Sequence, residues 1–177
     1  MAVPTRLKLA AALVNGAAGI ATLLAIALLL PVVPAPAIDA GDQAARLALW
    51  ARLAVFPAAL ILVLVVATSA ARAMGEAYDP IADPEPRGYR VAQRVLTNTV
   101  EQTAAFLPAL AALAVVVPEA RLGAPGLLTA LFVAGRLAFA AGYAIHPYAR
   151  APGMSTTATV TLVTFVWAIA RVLFPVS

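Results

Sequence analysis

Five long apolar stretches take up most of this chain, and each is long enough to cross a bilayer. They run about Leu7–Val33, Leu47–Met74, Tyr89–Val117, Gly126–Ile145 and Thr156–Phe174. About 20 helical residues span the ~30 Å of hydrocarbon in a membrane. Strict apolar–polar alternation, the mark of a half-buried strand, is missing from all five stretches. A chain without strands must satisfy its backbone polar groups within helices when it lies in lipid. The expected fold is therefore an all-α integral membrane bundle of five spans, with no room for a separate catalytic domain.

Composition supports this and removes several functions. Of 177 residues, 63% are hydrophobic and 11% charged, against roughly 25% charged in soluble domains. There is no cysteine and a single histidine, His146, so disulfides, thiolate nucleophiles and Cys/His metal sites are not expected. The net charge of +4 comes from basic residues scattered at the ends of the stretches. That is the pattern of a membrane protein rather than of a nucleic-acid binder. Eleven of the twelve basic residues are Arg, a usage that fits a high-GC bacterial genome and hence a bacterial inner membrane.

The first stretch admits two readings. Arg6, Lys8 and the Ala35-Pro36-Ala37 exit resemble a secretory signal. The apolar run, however, exceeds the ~7–15 residues of a signal core, and Pro34 and Pro36 make a poor cleavage sequence. A retained helix is the favoured reading, with residues 1–40 forming an extra N-terminal helix and its Pro-rich exit. Arg6, Lys8, Arg72, Arg87, Arg90 and Arg150 fall on one side of the membrane, and Arg46, Arg52, Arg121 and Arg171 on the other. The basic bias puts the N-terminus in the cytoplasm and the C-terminus outside. The longest loop, about Gly75–Gly88, carries Glu76, Asp79, Asp83 and Glu85 among prolines and reads as a solvated connector without structure of its own.

An ionised side chain in mid-membrane costs ~2.5–3.5 kcal/mol on insertion scales, so it needs a partner or a purpose. The third stretch contains Arg94-Val95-Leu96-Thr97-Asn98-Thr99-Val100-Glu101. At 100° per residue Arg94, Asn98 and Glu101 fall within about 60° of one another, in a single polar stripe. In the fourth stretch Arg136 stands near the middle, with Phe139 and Tyr143 on its face and Gly135, Ala138 and Gly142 alongside. Small residues so spaced let another helix approach, and Arg136 is the expected ion-pair partner of Glu101. The stripe is either a structural network pinning the bundle or the wall of a site for an anionic ligand. The threonines Thr156, Thr157, Thr159, Thr161 and Thr164 are expected to bond their own helix backbone.

These two passages resemble the MAPEG family, the membrane-associated proteins of eicosanoid and glutathione metabolism, and most of all its bacterial MAPEG-like branch. The first matches the family's Arg-x-x-x-Asn-x-x-Glu helix. Gly135-Arg136 followed by Gly142-Tyr143 matches its Gly-Arg helix with a tyrosine two turns on. The resemblance runs from about Leu47 to the C-terminus. It implies a four-helix transmembrane domain over residues 41–177 that assembles as a homotrimer. In glutathione-using members the tripeptide lies between subunits near the cytoplasmic side. Carried over by position, Arg94, Asn98 and Glu101 bind glutathione, Tyr143 contacts it, and Arg136 is the structural partner of Glu101. The implied activity is a glutathione-dependent transferase or peroxidase acting on lipophilic electrophiles from the bilayer. The alternative is a non-catalytic member that binds a small anionic or lipid ligand, or serves as a scaffold.

The catalytic half of the pattern departs from the family. Anchored on Arg150-Ala151-Pro152, the position of the family's thiol-activating arginine holds Met154. A second arginine of the Arg-Asn-Glu helix is replaced by Thr97, and a histidine of some members by Phe139. The candidates left for catalysis are Arg150, in the same loop, and Ser155, beside Met154.

Overall fold

A computed structural model describes residues 5–79, 81–146 and 148–175. Residues 1–4, Pro80, Pro147 and residues 176–177 lie outside the described part. The chain folds into α1 (Thr5–Leu29), α2 (Gln43–Met74), α3 (Arg87–Val116), α4 (Ala124–Ile145) and α5 (Ala151–Leu173), with one 3₁₀ turn at Glu119–Arg121. All five helices are long and apolar enough to cross a membrane, and no strand occurs among the described residues. The protein is an integral, multi-pass membrane protein.

Helix ends follow local chemistry. Asp42 caps α2 by accepting the Ala44 N–H at 2.8 Å, which satisfies one of the orphan donors of a first turn. Pro125 and Pro152 stand in the first turns of α4 and α5, where a missing N–H costs nothing and a fixed φ favours the helix. Helix α5 therefore starts at Ala151, ahead of the apolar run expected from Thr156. Within α2, Pro57 is buried.

The core lies where α3, α4 and α5 meet. Phe106 of α3 and Phe132 of α4 stack with ring centroids 4.2 Å apart, and Leu110, Leu113, Leu128 and Val160 surround them. Helix α2 packs on α3 and α4, while α1 packs chiefly along α5. Trp50 on α2 donates its indole N–H to the Leu107 carbonyl at 3.0 Å. Trp167 packs against the core from α5. Arg46, counted from sequence as a charge at the membrane edge, is 7% exposed. It donates to the carbonyls of Ala40 (2.7 Å), Ala114 and Val115 (3.2 Å each) and Val117 (2.6 Å). Its positive charge thereby sits on the carbonyls that the end of α3 leaves unpaired.

The loop after α2 has more structure than its proline and acidic content implies. Arg72 donates to the carbonyls of Ala77 at 2.7 Å and Tyr78 at 2.9 Å, and Ala77 is buried. The amides of Ile81 and Ala82 donate to the Asp79 carboxylate and hold its pKa below the usual range.

Glycines set the closest approach of α4 and α5. A Cβ at Gly153 would overlap the Phe139 backbone nitrogen and lie 2.6 Å from the Gly135 carbonyl oxygen. One at Gly135 would lie 2.8 Å from Thr157 Cγ2. At Gly142 the intruding atoms belong to Ala149 and Arg150 of the following loop. The stripe expected to admit a separate helix is thus divided: Gly135 meets α5, Gly142 meets its own loop, and Ala138 is exposed. Gly153→Ala should destabilise the protein by about 3 kcal/mol or more, at the upper end of overpacking costs. Gly16→Ala has nothing within 4 Å of the new atom and should be neutral or stabilising by up to ~1 kcal/mol through helix propensity. Thermal unfolding in detergent measures both, and similar midpoints for the two variants would contradict this packing.

Candidate functional site

The α3 stripe and the start of α5 converge on one cleft of about 470 Å³ at the end of the bundle that holds the N-termini of α1, α3 and α5. Arg94, Thr97, Asn98 and Glu101 supply the α3 wall, placed together by their spacing of three and four residues. Tyr148 and Arg150 from the α4–α5 loop, with Met154, supply a second wall. Ala11 and Asn15 of α1 close a third side. Arg94, Glu101 and Arg150 are exposed to this space, whereas Asn98 is half-buried.

Behind the α3 wall lies Arg136, 1% exposed and the largest fully buried side chain among the described residues. One guanidinium nitrogen donates to Asn98 Oδ1 at 2.7 Å and the other to Thr157 Oγ1 at 2.7 Å, with Met154 Sδ at 3.7 Å. The guanidinium carbon lies 4.3 Å from the centroid of the Phe139 ring, a cation–π distance. Thr157 in turn donates to the carbonyls of its own helix, Gly153 and Met154, each at 3.0 Å. Its hydroxyl oxygen remains an acceptor for Arg136.

This differs from the expected ion pair. Arg136 bonds Asn98 and Thr157, and among the described residues no ion pair joins it to Glu101. The reason is azimuthal: Asn98 turns towards α4, whereas Glu101 lies on the exposed side of α3. Asn98 consequently has a structural duty, because its carbonyl oxygen is committed to a buried cation. Its amide N–H groups are what it has left for a ligand.

Of the other sequence candidates, Arg94, Glu101 and Arg150 reach the cleft and Tyr143 and Ser155 do not line it. Tyr143 stands edge-on to Phe139 at 5.8 Å. The Arg150 guanidinium lies over the Tyr143 ring at 4.7 Å. Tyr143 therefore positions Arg150 instead of touching the cleft itself. Ser155 turns away and donates its hydroxyl to the Asn15 carbonyl of α1 at 2.6 Å. Met154, at the position of the family's activating arginine, does line the cleft. Tyr148 and Asn15 are lining residues that sequence reasoning missed. An aromatic two residues before Arg150 was the one available signal for Tyr148.

The geometry fixes how variants should rank. Asn98→Ala leaves a buried guanidinium short of one acceptor and should cost about 1.5–3 kcal/mol, as for hydrogen bonds to charged groups. Arg136→Met removes the cation and its desolvation cost together and should cost less, because replacing buried charge with apolar volume is often near neutral. Unfolding midpoints in detergent check the order, and a larger loss for Arg136→Met would contradict this account of Asn98.

The model of the MAPEG family matches residues 47–170. No curated protein and no solved structure matches the chain. The matched span takes in α2 through most of α5, with the Arg-Asn-Glu helix, the Gly-Arg helix and the loop that carries Arg150. The chain belongs to the MAPEG family.

Proposed function

We propose that this protein binds glutathione in the cleft and conjugates it to lipophilic electrophiles dissolved in the bilayer. The observation that carries the reading is convergence of charge. Two guanidinium groups, one carboxylate and the N-terminus of a 23-residue helix meet in one space. Glutathione carries two carboxylates and one ammonium group. Arg94 and Arg150 suit the carboxylates or the thiolate, and Glu101 suits the ammonium. The first turn of α5 adds a partial positive charge that favours an anion.

Conjugation needs the thiolate. Arg150 is the cation available for this, since a nearby positive charge lowers a thiol pKa from ~8.5. Tyr143 holds it over the cleft wall. The thiol proton leaves to water, sulfur bonds to the electrophilic carbon, and the leaving group departs with its electron pair. Met154 in the cleft favours a second reading, that of a glutathione-binding protein without thiol activation.

Glutathione should bind saturably, and Arg94→Ala should weaken binding by roughly tenfold or more, the equivalent of a charged hydrogen bond. Near neutral pH, bound glutathione should show ultraviolet thiolate absorbance that Arg150→Gln abolishes. Binding without that absorbance would favour the non-catalytic reading. Absence of binding at millimolar glutathione would leave the stripe a structural element.

Glutathione is a cytoplasmic reductant, and the cleft opens at the end carrying Arg6, Arg72, Arg87 and Arg90. The reading accordingly places that end in the cytoplasm of a bacterial inner membrane. It also implies a homotrimer. Arg90, Gln93, Arg94, Thr97 and Glu101 are all exposed on one face of α3, and such a face cannot lie against lipid. Contact with a second copy would cover it beside the ligand. Native mass spectrometry in mild detergent should show trimers, and monomers or dimers alone would exclude them.

A further inference from the structure

Helix α1 lies outside residues 47–170, the part matched to the family, yet it is seated on α5 by polar contacts. Ser155 donates its hydroxyl to the Asn15 carbonyl at 2.6 Å. One turn and two turns further along, the seam continues through Gly19 and Thr22. A Cβ on Gly19 would stand 3.3 Å from both Ser155 Oγ and Thr159 Oγ1. The Thr22 hydroxyl, which donates to its own helix at Ala18, lies 3.1 Å from that of Thr156. Ile26 then joins the main apolar core. Asn15, Gly19, Thr22 and Ile26 recur every three to four residues, so they form one face of α1. Leu9, Leu13 and Ile20 are each more than 60% exposed and form the lipid side.

This seating aims Asn15 into the cleft. Its side chain is half-buried and lines the space opposite the charged α3 wall. One amide hydrogen goes to the Ala11 carbonyl at 2.9 Å. Among the described residues the second amide hydrogen and the carbonyl oxygen have no partner, which leaves one donor and one acceptor. In lipid an amide so exposed would be costly, whereas in a wet cleft it is ready for a ligand. An uncharged donor–acceptor pair matches a peptide bond rather than a carboxylate or ammonium group.

We propose that α1 is a fixed wall of the binding site and that Asn15 hydrogen-bonds the peptide portion of the bound thiol peptide. The ligand half of this rests on the glutathione reading above. The wall half does not. The chain has no cysteine, so single-cysteine variants Asn15→Cys, Val14→Cys and Thr97→Cys of the full protein can be compared in liposomes. The reagent is a water-soluble methanethiosulfonate, and the competitor is S-methylglutathione, which has no free thiol. Asn15→Cys and Thr97→Cys should react at similar rates, and Val14→Cys, at an exposed apolar position of α1 that does not line the cleft, roughly tenfold more slowly, because a thiol in apolar surroundings resists ionisation. S-methylglutathione should slow both cleft sites. Asn15→Cys as unreactive as Val14→Cys overturns the proposal whatever the ligand does. Protection at Thr97→Cys alone overturns the contact with Asn15. Protection at neither site removes glutathione and the contact together, while continued labelling of Asn15→Cys upholds the wall. As a second variant, Asn15→Leu should weaken S-methylglutathione binding about fivefold, the loss of one hydrogen bond, with its unfolding midpoint unchanged. An unchanged affinity overturns the contact.

Discussion

A guanidinium buried among apolar helices has to be hydrogen-bonded by the protein itself, and Arg136 imposes that demand on three helices at once. Its own helix, α4, supplies the cation and the Phe139 face. Helix α3 supplies Asn98 and α5 supplies Thr157. A donor misplaced by an ångström in a medium of low dielectric loses most of its bond and keeps its desolvation cost. The three helices are therefore held in one register. The glycines make this possible, since Gly135 and Gly153 bring the α4 and α5 backbones close enough for Thr157 to reach the guanidinium. Arg46 repeats the solution at the other end of the bundle, where the last carbonyls of α3 are its acceptors.

The layout of the cleft follows from which face of Asn98 this network uses. With its carbonyl fixed on Arg136, the rest of α3 is indexed so that Arg94, Thr97 and Glu101 point into the cleft or along its rim. The same register places Met154 beside Arg136, with Tyr148 and Arg150 of the α4–α5 loop lining the same cleft as the α3 wall. Structural and cleft-facing positions are thus divided between neighbours on one helix stripe. They are not shared by a single ion pair.

Much of this was legible in the sequence because it depends on period alone. Length and apolarity give five spans, and 100° per residue gathers Arg94, Asn98 and Glu101 on one side of α3. Period says nothing of azimuth between helices. Asn98 and Glu101 differ by about 60° around α3, and which of them meets Arg136 depends on how α3 is rotated against α4. That choice is fixed by packing around Phe106 and Phe132. Asn15 was hidden for another reason: its contact to Ser155 joins residues 140 apart in sequence, and nothing local marks it. The threonines of α5 only partly follow the expectation. Thr157 and Thr164 bond their own helix, Thr156 meets α1, and the buried Thr161 hydroxyl has no hydrogen-bond partner among the described residues.

On the proposed glutathione reading, the cleft separates binding from activation in a way that the sequence only hinted at. The proposed binding groups lie on α3, a 30-residue helix indexed by Arg136. The proposed activating cation, Arg150, lies on a loop, over the ring of Tyr143 on the preceding helix. A charge held over an aromatic face has one attractive surface and considerable lateral freedom, unlike a guanidinium forked onto fixed acceptors. On that reading Arg150 would be free to follow a developing thiolate, but it is less preorganised than a cation anchored in the last helix would be. Electrostatic stabilisation in catalysis depends on preorganisation, so this division favours secure binding over fast chemistry. For the proposed reaction with electrophiles drawn from the bilayer, that balance would suit retention of the thiol peptide between infrequent encounters.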